Sequence, residues 1–130
     1  MSRENVEIVQ RFYQEYLTTG ELPSELLDEN CEVHDHDTPD QGVYRGIAGV
    51  GRWLQDWNDA WAEWSIEPEE FMDAGDSVVA VVRMHAKGMG SGLELDRRDA
   101  IVYRFRDGKI ARADYYNNKA EALEAADLSE

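Results

Sequence analysis

Arg97 and Asp99 are the residues of this sequence that most suggest chemistry, because both fall on the apolar face of a predicted strand. The alternation of residues 93–105 places seven side chains on that face: Leu93, Leu95, Arg97, Asp99, Ile101, Tyr103 and Phe105. Charged groups on such a face are unfavourable unless they pair or border a wet cavity. Neighbours two apart on a strand point the same way and can pair. Two interpretations therefore stay open, a structural ion pair and an acid/base Asp99 held ionised by Arg97.

Asp35 is the second candidate for acid/base chemistry. It ends the alternating segment Cys31 to Asp35, which predicts a short strand, and the polar residues 36–45 that follow predict a loop. A carboxylate in dry surroundings can act as a general base, but aspartate also commonly binds the backbone amides of a turn. Asp35 is therefore either a catalytic group or a loop cap.

Metal and nucleotide binding have weaker support in the sequence. His34 and His36 could chelate a metal with Asp37, but His85 is predicted on another strand, so the local ligand set is small. The glycine-rich run 46–51 lacks the GxGxxG order and the GK[ST] sequence of phosphate-binding loops. We therefore expect no metal site and no cofactor.

Aromatic side chains predict an apolar pocket that accepts planar groups. A tyrosine hydroxyl could donate to a developing oxyanion, although a half-buried tyrosine at a polar edge is the commoner arrangement. The pattern leaves open whether Tyr115 or Tyr116 faces inward. The residues predicted to contact a ligand are Tyr13, Tyr16, His36, Trp53, Trp57, Trp61, Met84, Tyr103, Asp114 and Tyr116.

Helices are predicted before and after the strands that carry these residues. The apolar spacing of residues 6–17 predicts one amphipathic helix, Pro23 and the ELLDEN segment predict a second short one, and the stripe from Ile47 to Trp61 predicts a third. An alanine-rich segment, Asn118 to Leu128, predicts a closing helix.

Strands fill most of the second half of the sequence. Trp64 and Ile66 begin one that Pro68 must interrupt or place at a sheet edge, and residues 77–87 alternate as the next. Asp107-Gly108 predicts a two-residue type I′ turn between the last two strands. This order predicts an α+β fold in which a curved antiparallel sheet is wrapped over helices.

The composition indicates one acidic domain over residues 1–130. The net charge of −15 argues against nucleic acid and anionic membranes as partners, because both attract basic proteins. The single cysteine, Cys31, excludes an internal disulfide, and the sequence has no apolar leader or spanning segment, so we expect a cytoplasmic protein.

Several short segments together resemble the nuclear-transport-factor-2-like superfamily and, within it, the SnoaL-like branch, related to polyketide cyclases and ketosteroid isomerases. The segments are Val33-His34-Asp35, Tyr44-Arg45-Gly46, Asp73 to Val78, Tyr103 to Ile110 and Asp114-Tyr115-Tyr116. The resemblance spans nearly the whole chain and implies a cone-shaped α+β barrel with a deep pocket over three N-terminal helices. Asp35 resembles the isomerases' proton-transferring carboxylate, whereas Ile101 stands where their second acidic group is expected.

The resemblance implies a cofactor-independent acid/base enzyme for a small, largely apolar carbonyl or polyketide-like compound. Cyclisation, isomerisation, epoxide opening and dehydration all stay open. The alternative is a noncatalytic module that binds a small ligand or dimerises, in which Arg97 and Asp99 merely pair. A homodimer is expected in either case, because Val79 and Val81 are predicted to leave apolar patches on the outer face of the sheet.

Overall fold

A computed structural model describes residues 2–36, 42–88, 90 and 92–126. Its helices are α1, the short 3-10 turn η1, α2 and α3, which cover Ser2–Thr19, Ser24–Leu26, Gly46–Ala60 and Lys119–Ala125. Its strands are β1 to β6, which cover Leu27–Asp35, Gly42–Arg45, Trp61–Asp73, Ser77–Gly88, Glu94–Arg106 and Lys109–Tyr116. The α+β class predicted from the sequence is confirmed.

The six strands form one curved, open sheet in the order β2-β1-β6-β5-β4-β3. Neighbouring strands are antiparallel except β1 and β6, which run parallel, so the sheet is mixed rather than wholly antiparallel as predicted. The chain passes through β2, α2, β3, β4 and β5 between these two paired strands. This pairing brings the end of β1, with Asp35, beside Tyr115 of β6.

The hairpin between β5 and β6 has the turn that the sequence predicts. Asp107 and Gly108 have φ values of 53° and 77°, and Arg106 pairs with Lys109 across the turn. Positive φ at both central residues matches the twist of a type I′ turn to that of the strands. The turn sets the pairing as far as Phe105 with Ile110, and a register shift between Arg104 and Phe105 then brings Ile101 opposite Tyr115.

The inner face of the sheet packs against α1 and α2. Val9 and Tyr13 of α1 and Val50 of α2 join a buried cluster with the inward residues of β4, β5 and β6, which include Val82 and Ile101. Apolar residues at helical spacing meet apolar residues at strand spacing, as their two periodicities predict. This layer of side chains contains the cavity described below.

The outer face carries a second core, and this corrects the predicted exposure of Val79 and Val81. Both valines are buried, with exposed fractions of 0% and 3%, in a cluster with Ala122 and Leu123 of α3. The closing helix thus covers the apolar patch that we expected a second subunit to cover. The homodimer stays a prediction, but these two valines no longer support it.

Two helix predictions are corrected by the structure. The segment after Pro23 forms only the single turn Ser24–Leu26, because Leu27, Cys31 and Val33 are buried along a strand that begins at Leu27. The description of three N-terminal helices is therefore wrong: α1 and α2 precede the long strands and α3 follows them. The third predicted helix ends at Ala60, and Trp61 already belongs to β3.

The predicted interruption at Pro68 is confirmed, since the pairing of β3 with β4 shifts between Pro68 and Glu70 and β3 is an edge strand. Among the described residues, no helix is both long and apolar enough to cross a membrane.

Candidate functional site

Asp99 and Arg97 form the ion pair that their spacing predicts. The Arg97 Nε donates to Asp99 Oδ1 at 2.7 Å. The carboxylate of Asp99 is fully buried, whereas the Arg97 side chain is 28% exposed. The guanidinium therefore offsets much of the desolvation that would oppose a buried negative charge.

Tyr115 supplies a second hydrogen bond to Asp99, because its hydroxyl donates to Oδ2. Burial, followed by the charge of Asp99 and this hydrogen bond, raises the pKa of Tyr115 far above its ordinary value. Tyr115 is consequently a neutral phenol whose proton lies between its own oxygen and a carboxylate. Both oxygens of Asp99 are thus bonded within the protein.

Asp35 lies on the strand next to Tyr115. The two residues are paired in the parallel register of β1 and β6, and Asp35 is 3% exposed. Asp35 Oδ2 accepts a hydrogen bond from Trp53 Nε1 at 2.8 Å. The Trp53 ring in turn meets the Tyr115 ring edge to face, with centroids 5.7 Å apart. Asp99 is therefore hydrogen-bonded to Tyr115 directly, and Asp35 is connected to the Tyr115 ring through Trp53.

An apolar cavity of about 70 Å³ lies between the sheet and the two long helices. One water molecule occupies about 30 Å³ of liquid, and pockets for drug-sized ligands measure about 300–1,000 Å³. The described residues therefore enclose a small cavity and not the deep pocket that the resemblance implies. Its aromatic walls come from Phe12, Tyr13, Tyr16, Trp53, Trp57, Trp64, Tyr103 and Tyr115.

The cavity brings together six of the ten residues predicted to contact a ligand: Tyr13, Tyr16, Trp53, Trp57, Met84 and Tyr103. Asp35, Arg97 and Asp99 are not among the residues that line the cavity. Two of them are hydrogen-bonded to lining residues, Asp35 to Trp53 and Asp99 to Tyr115. Trp61 stacks on Trp57 with centroids 6.5 Å apart and is not part of the wall.

Two tyrosines meet inside the cavity. The hydroxyl oxygens of Tyr13 and Tyr103 are 2.6 Å apart, and each phenol can be the donor. Their rings pack edge to face, and Phe12 and Phe71 lie beside them. Burial raises the pKa of both tyrosines above the ordinary value, so both are neutral phenols.

The remaining three predicted ligand contacts, His36, Asp114 and Tyr116, form a cluster on the opposite face of the sheet. His36 stacks on Tyr116 with centroids 4.5 Å apart, and its Nε2 is 2.9 Å from Asp114 Oδ1. Arg104 and Arg112 also donate to Asp114. Because side chains alternate along a strand, Tyr115 faces inward while its neighbours Asp114 and Tyr116 face outward.

Asp114 is held as a carboxylate by this cluster. Its burial alone would raise the pKa, but hydrogen bonds from Arg112 and His36 and the charges of the two arginines leave the pKa below its ordinary value. The cluster is thus an ion-pair network that joins β5 and β6 to His36, the residue directly after β1. Its position explains why polar residue type alone misassigned Asp114 to the pocket.

Phe12 and Trp64 line the cavity although neither was among the predicted ligand contacts, and Tyr115, whose facing the sequence left open, lines it too. Ile110, at the start of β6, lies on the cavity side of the sheet, but the pairing of β5 with β6 shifts between Arg104 and Phe105. Because of that shift, counting alternate residues from Ile110 does not give the facing of Tyr115. For Phe12, its position one residue before Tyr13 on the apolar side of α1 was the available signal.

Metal binding has no support in the part of the chain that the structure describes, where no group of three His, Cys, Asp or Glu residues is arranged to hold an ion. Asp37, the third predicted member of such a site, lies outside the described residues. Cys31 is buried and burial raises the pKa of its thiol, which disfavours the reactive thiolate.

Solved structures of similar fold cover nearly the whole chain. Bal32a from a soil-derived mobile gene cassette superposes with a TM-score of 0.78 at 20% identity, over 95% of this chain and 96% of that one. A SnoaL-like polyketide cyclase, assigned provisionally, from Jannaschia sp. CCS1 gives 0.73 at 18% identity, over 99% and 95%. A ketosteroid isomerase-like protein from Catenulispora acidiphila, in complex with trimethylamine, gives 0.72 at 17% identity, over 95% and 94%.

These identities are low, so the superpositions establish the nuclear-transport-factor-2-like fold and nothing finer. Among curated proteins no match was found. The family model of the SnoaL-like domain matches residues 9–113, which include α1 from Val9 onward, the whole of α2 and β6 as far as Ala113. On that match, the chain belongs to the SnoaL-like domain family.

Proposed function

We propose that the protein is a cofactor-independent acid/base enzyme that acts on a small, largely apolar carbonyl compound. The observation that carries this proposal is the buried Asp99, held by Arg97 and joined through Tyr115 to an aromatic cavity. Perturbed ionisable groups beside a concave apolar site are the usual mark of an active site. The provisional polyketide cyclase among the similar structures is consistent with such chemistry.

Tyr115 is the group that would contact the substrate, because its ring lines the cavity and Asp99 lies behind it. As the Tyr115 oxygen takes a proton from the carbon next to a carbonyl, the phenol proton passes to Asp99 Oδ2. The broken C–H bond leaves its electron pair in the resulting enolate. Arg97 favours the ionised form of Asp99, which must be present before the transfer begins.

The substrate of this reaction must be small or must move cavity side chains. About 70 Å³ admits only a few non-hydrogen atoms, and the walls are mainly aliphatic and aromatic. A charged substrate is disfavoured, because burial in such walls penalises charge.

Deuterium exchange tests the proposal without knowledge of the natural substrate. Small ketones such as butanone are incubated with the protein in heavy water, and proton NMR follows the loss of hydrogen beside the carbonyl. We expect exchange above the buffer rate with the parent protein, and a loss of about 10²- to 10⁴-fold in Asp99→Asn. Asp59→Asn is the matched control, because Asp59 is exposed and, within the described part of the chain, accepts a hydrogen bond from Gln55 of the same helix alone.

A noncatalytic ligand-binding module is the second candidate. It is favoured by one specific observation, that both oxygens of Asp99 are already bonded within the protein. Such a module would bind butanone without accelerating exchange. Exchange at the buffer rate across a panel of small ketones that bind would decide for this candidate.

A further inference from the structure

His36 contacts three consecutive residues of β6, and the middle one is Tyr115. Its backbone N–H donates to the carbonyl oxygen of Tyr115 at 2.9 Å. Its side-chain Nε2 lies 2.9 Å from Asp114 Oδ1 and donates to it, because a carboxylate only accepts. Its ring stacks on the ring of Tyr116, with centroids 4.5 Å apart and 4° between the planes. His36 therefore binds both outward-facing neighbours of Tyr115.

These contacts lie where the pairing of β1 with β6 ends. The last register pair of the two strands is Asp35 with Tyr115, and His36 follows directly. Parallel pairs are slightly less stable per residue than antiparallel pairs, and the end of a strand opens more readily than its middle. The side-chain contacts of His36 therefore oppose a separation of Asp35 from Tyr115.

The β6 side of this contact is firmly held. The Asp114 side chain is 2% exposed and accepts further hydrogen bonds from Arg104 and Arg112. Arg104 also donates to the carbonyl oxygen of Ala125 in α3. Because β5, β6 and α3 share this network, Asp114 has a fixed position. The bond to His36 therefore positions the end of β1.

On the inner face, the end of β1 carries part of the candidate site. Asp35 projects to the side opposite His36, because neighbouring side chains of a strand alternate. It accepts a hydrogen bond from Trp53 Nε1 at 2.8 Å, and the Trp53 ring packs edge to face on Tyr115. A movement of Asp35 away from β6 would therefore change how Trp53 packs on Tyr115.

We propose that His36 is a positioning residue, which holds the end of β1 on β6 from the outer face and so keeps Asp35 and Trp53 in place against Tyr115. The inference rests on the proposed function in one respect, because Tyr115 is the group that meets the substrate there. His36 is not among the residues that line the cavity. Its side chain should therefore affect the rate of proton transfer more than the affinity for a ketone.

His34→Ala is the matched control for His36→Ala. The two histidines are two positions apart and project to the same side, and their side chains are 19% and 22% exposed. The His34 Nε2 lies 2.7 Å from Glu32 Oε1. Because Glu32 belongs to β1 itself, that contact does not join β1 to β6. The control thus removes a similar ring and a similar bond and leaves the contacts between the strands.

The indole N–H signal of Trp53 reports the position of Asp35 directly. In protein labelled with nitrogen-15, the four tryptophans give four indole signals, and Trp53→Phe identifies the one from Trp53. We expect His36→Ala to shift the Trp53 signal more than the other three, and His34→Ala to leave it close to its parent position. A Trp53 signal that stays in place in His36→Ala, or that moves as far in His34→Ala, would overturn the proposal.

The exchange of butanone in heavy water gives the second readout. Rates are measured at saturating butanone and expressed per folded molecule, with the folded fraction taken from urea unfolding. We expect His36→Ala to lower this rate by about 10-fold with little change in the affinity for butanone, and His34→Ala to change neither. A lower urea midpoint in His36→Ala, with the rate and the Trp53 signal of the parent, would show that His36 only stabilises the fold.

His36→Phe carries the test if His36→Ala does not fold. Phenylalanine keeps a ring that can stack on Tyr116 and removes the donor to Asp114. We expect the Trp53 signal to shift in this variant as well. If His36→Phe is the folded variant and its Trp53 signal stays in place, the proposal is wrong.

The positioning role and the proposed enzyme fail in different ways. A Trp53 signal that shifts in His36→Ala alone, without ketone exchange in the parent, supports the positioning of Asp35 and contradicts the enzyme. Ketone exchange that continues at the parent rate in His36→Ala, with the Trp53 signal in place, supports the enzyme and contradicts the positioning role.

Discussion

At the residue scale, Tyr115 links the two carboxylates that the sequence singled out. It donates to Asp99 and pairs in register with Asp35, and its ring contacts Trp53, which donates to Asp35. Removing the Tyr115 hydroxyl should therefore affect the surroundings of both Asp99 and Asp35. A charge-assisted hydrogen bond between neutral phenol and carboxylate is stronger than one between neutral groups.

Tyr115→Phe keeps the ring and removes the hydroxyl. We expect the free energy of unfolding to fall by about 1–3 kcal/mol, because Asp99 loses one of its donors in a buried setting. Urea unfolding measures this change. Tyr44→Phe, which removes a hydroxyl bonded to the exposed Asp56, should change it much less, and equal losses in the two variants would contradict the role given to Tyr115.

Asp114→Asn tests the outer cluster through its pH dependence. The pKa of Asp114 is lower in the folded protein than its ordinary value, so its contribution to stability is present above that value and is lost as pH falls through the folded pKa. We expect the variant to be less stable than the parent by about 1–3 kcal/mol at neutral pH, with the difference shrinking as pH falls below about 4. Urea midpoints of both proteins across this range measure it, and a constant difference would be the contrary result.

At the element scale, the sequence predicted the individual strands and turns better than the pairing of the strands. The turn at Asp107-Gly108, the α+β order and the inner face of β5 all follow from local residue types and spacing. The parallel pairing of β1 with β6 joins residues about 80 positions apart, such as Asp35 and Tyr115, and no local pattern encodes it. The convergence of Asp35 and Asp99 on one tyrosine was therefore not predictable from periodicity.

The predicted exposure of Val79 and Val81 was wrong for a similar physical reason. Alternation showed that these valines face away from the inner core, but it could not show that α3 returns to cover them. Likewise, residues 25–30 contain good helix formers, and burial of Leu27 and Cys31 in the sheet overrides that weak preference.

Leu123→Ala tests the packing of α3 on the outer face. Leu123 is 2% exposed and belongs to the cluster with Val79 and Val81. We expect the substitution to lower the free energy of unfolding by about 2–5 kcal/mol, through lost burial and the cavity that it leaves. Chemical denaturation measures the loss. Glu124→Ala, on the exposed side of the same helix, is the control, and a similar effect in both would contradict this packing.

At the scale of the whole molecule, the net charge of −15 should make stability rise with salt. Like charges repel across the surface, and salt screens them over about 10 Å at 0.1 M. The exposed pair of Arg83 with Asp96 and other surface ion pairs oppose this trend only weakly. Thermal unfolding from low salt to molar KCl measures it, and a falling midpoint would contradict the prediction.

The expected homodimer is also a prediction about the whole molecule. Because α3 covers Val79 and Val81, these two valines are not available to a dimer interface. Sedimentation at micromolar concentration decides whether a dimer exists. A single species of 14.9 kDa would show that the prediction is wrong.

The central claim is that Asp99 acts in proton transfer and does more than pair with Arg97. Its most direct test is the ketone exchange rate of Asp99→Asn per folded molecule, with the folded fraction taken from urea unfolding of the same preparation. We expect that rate to fall by about 10²- to 10⁴-fold while the affinity of folded protein for butanone changes little. A large loss of stability with an unchanged exchange rate per folded molecule would show that Asp99 is only the partner of Arg97.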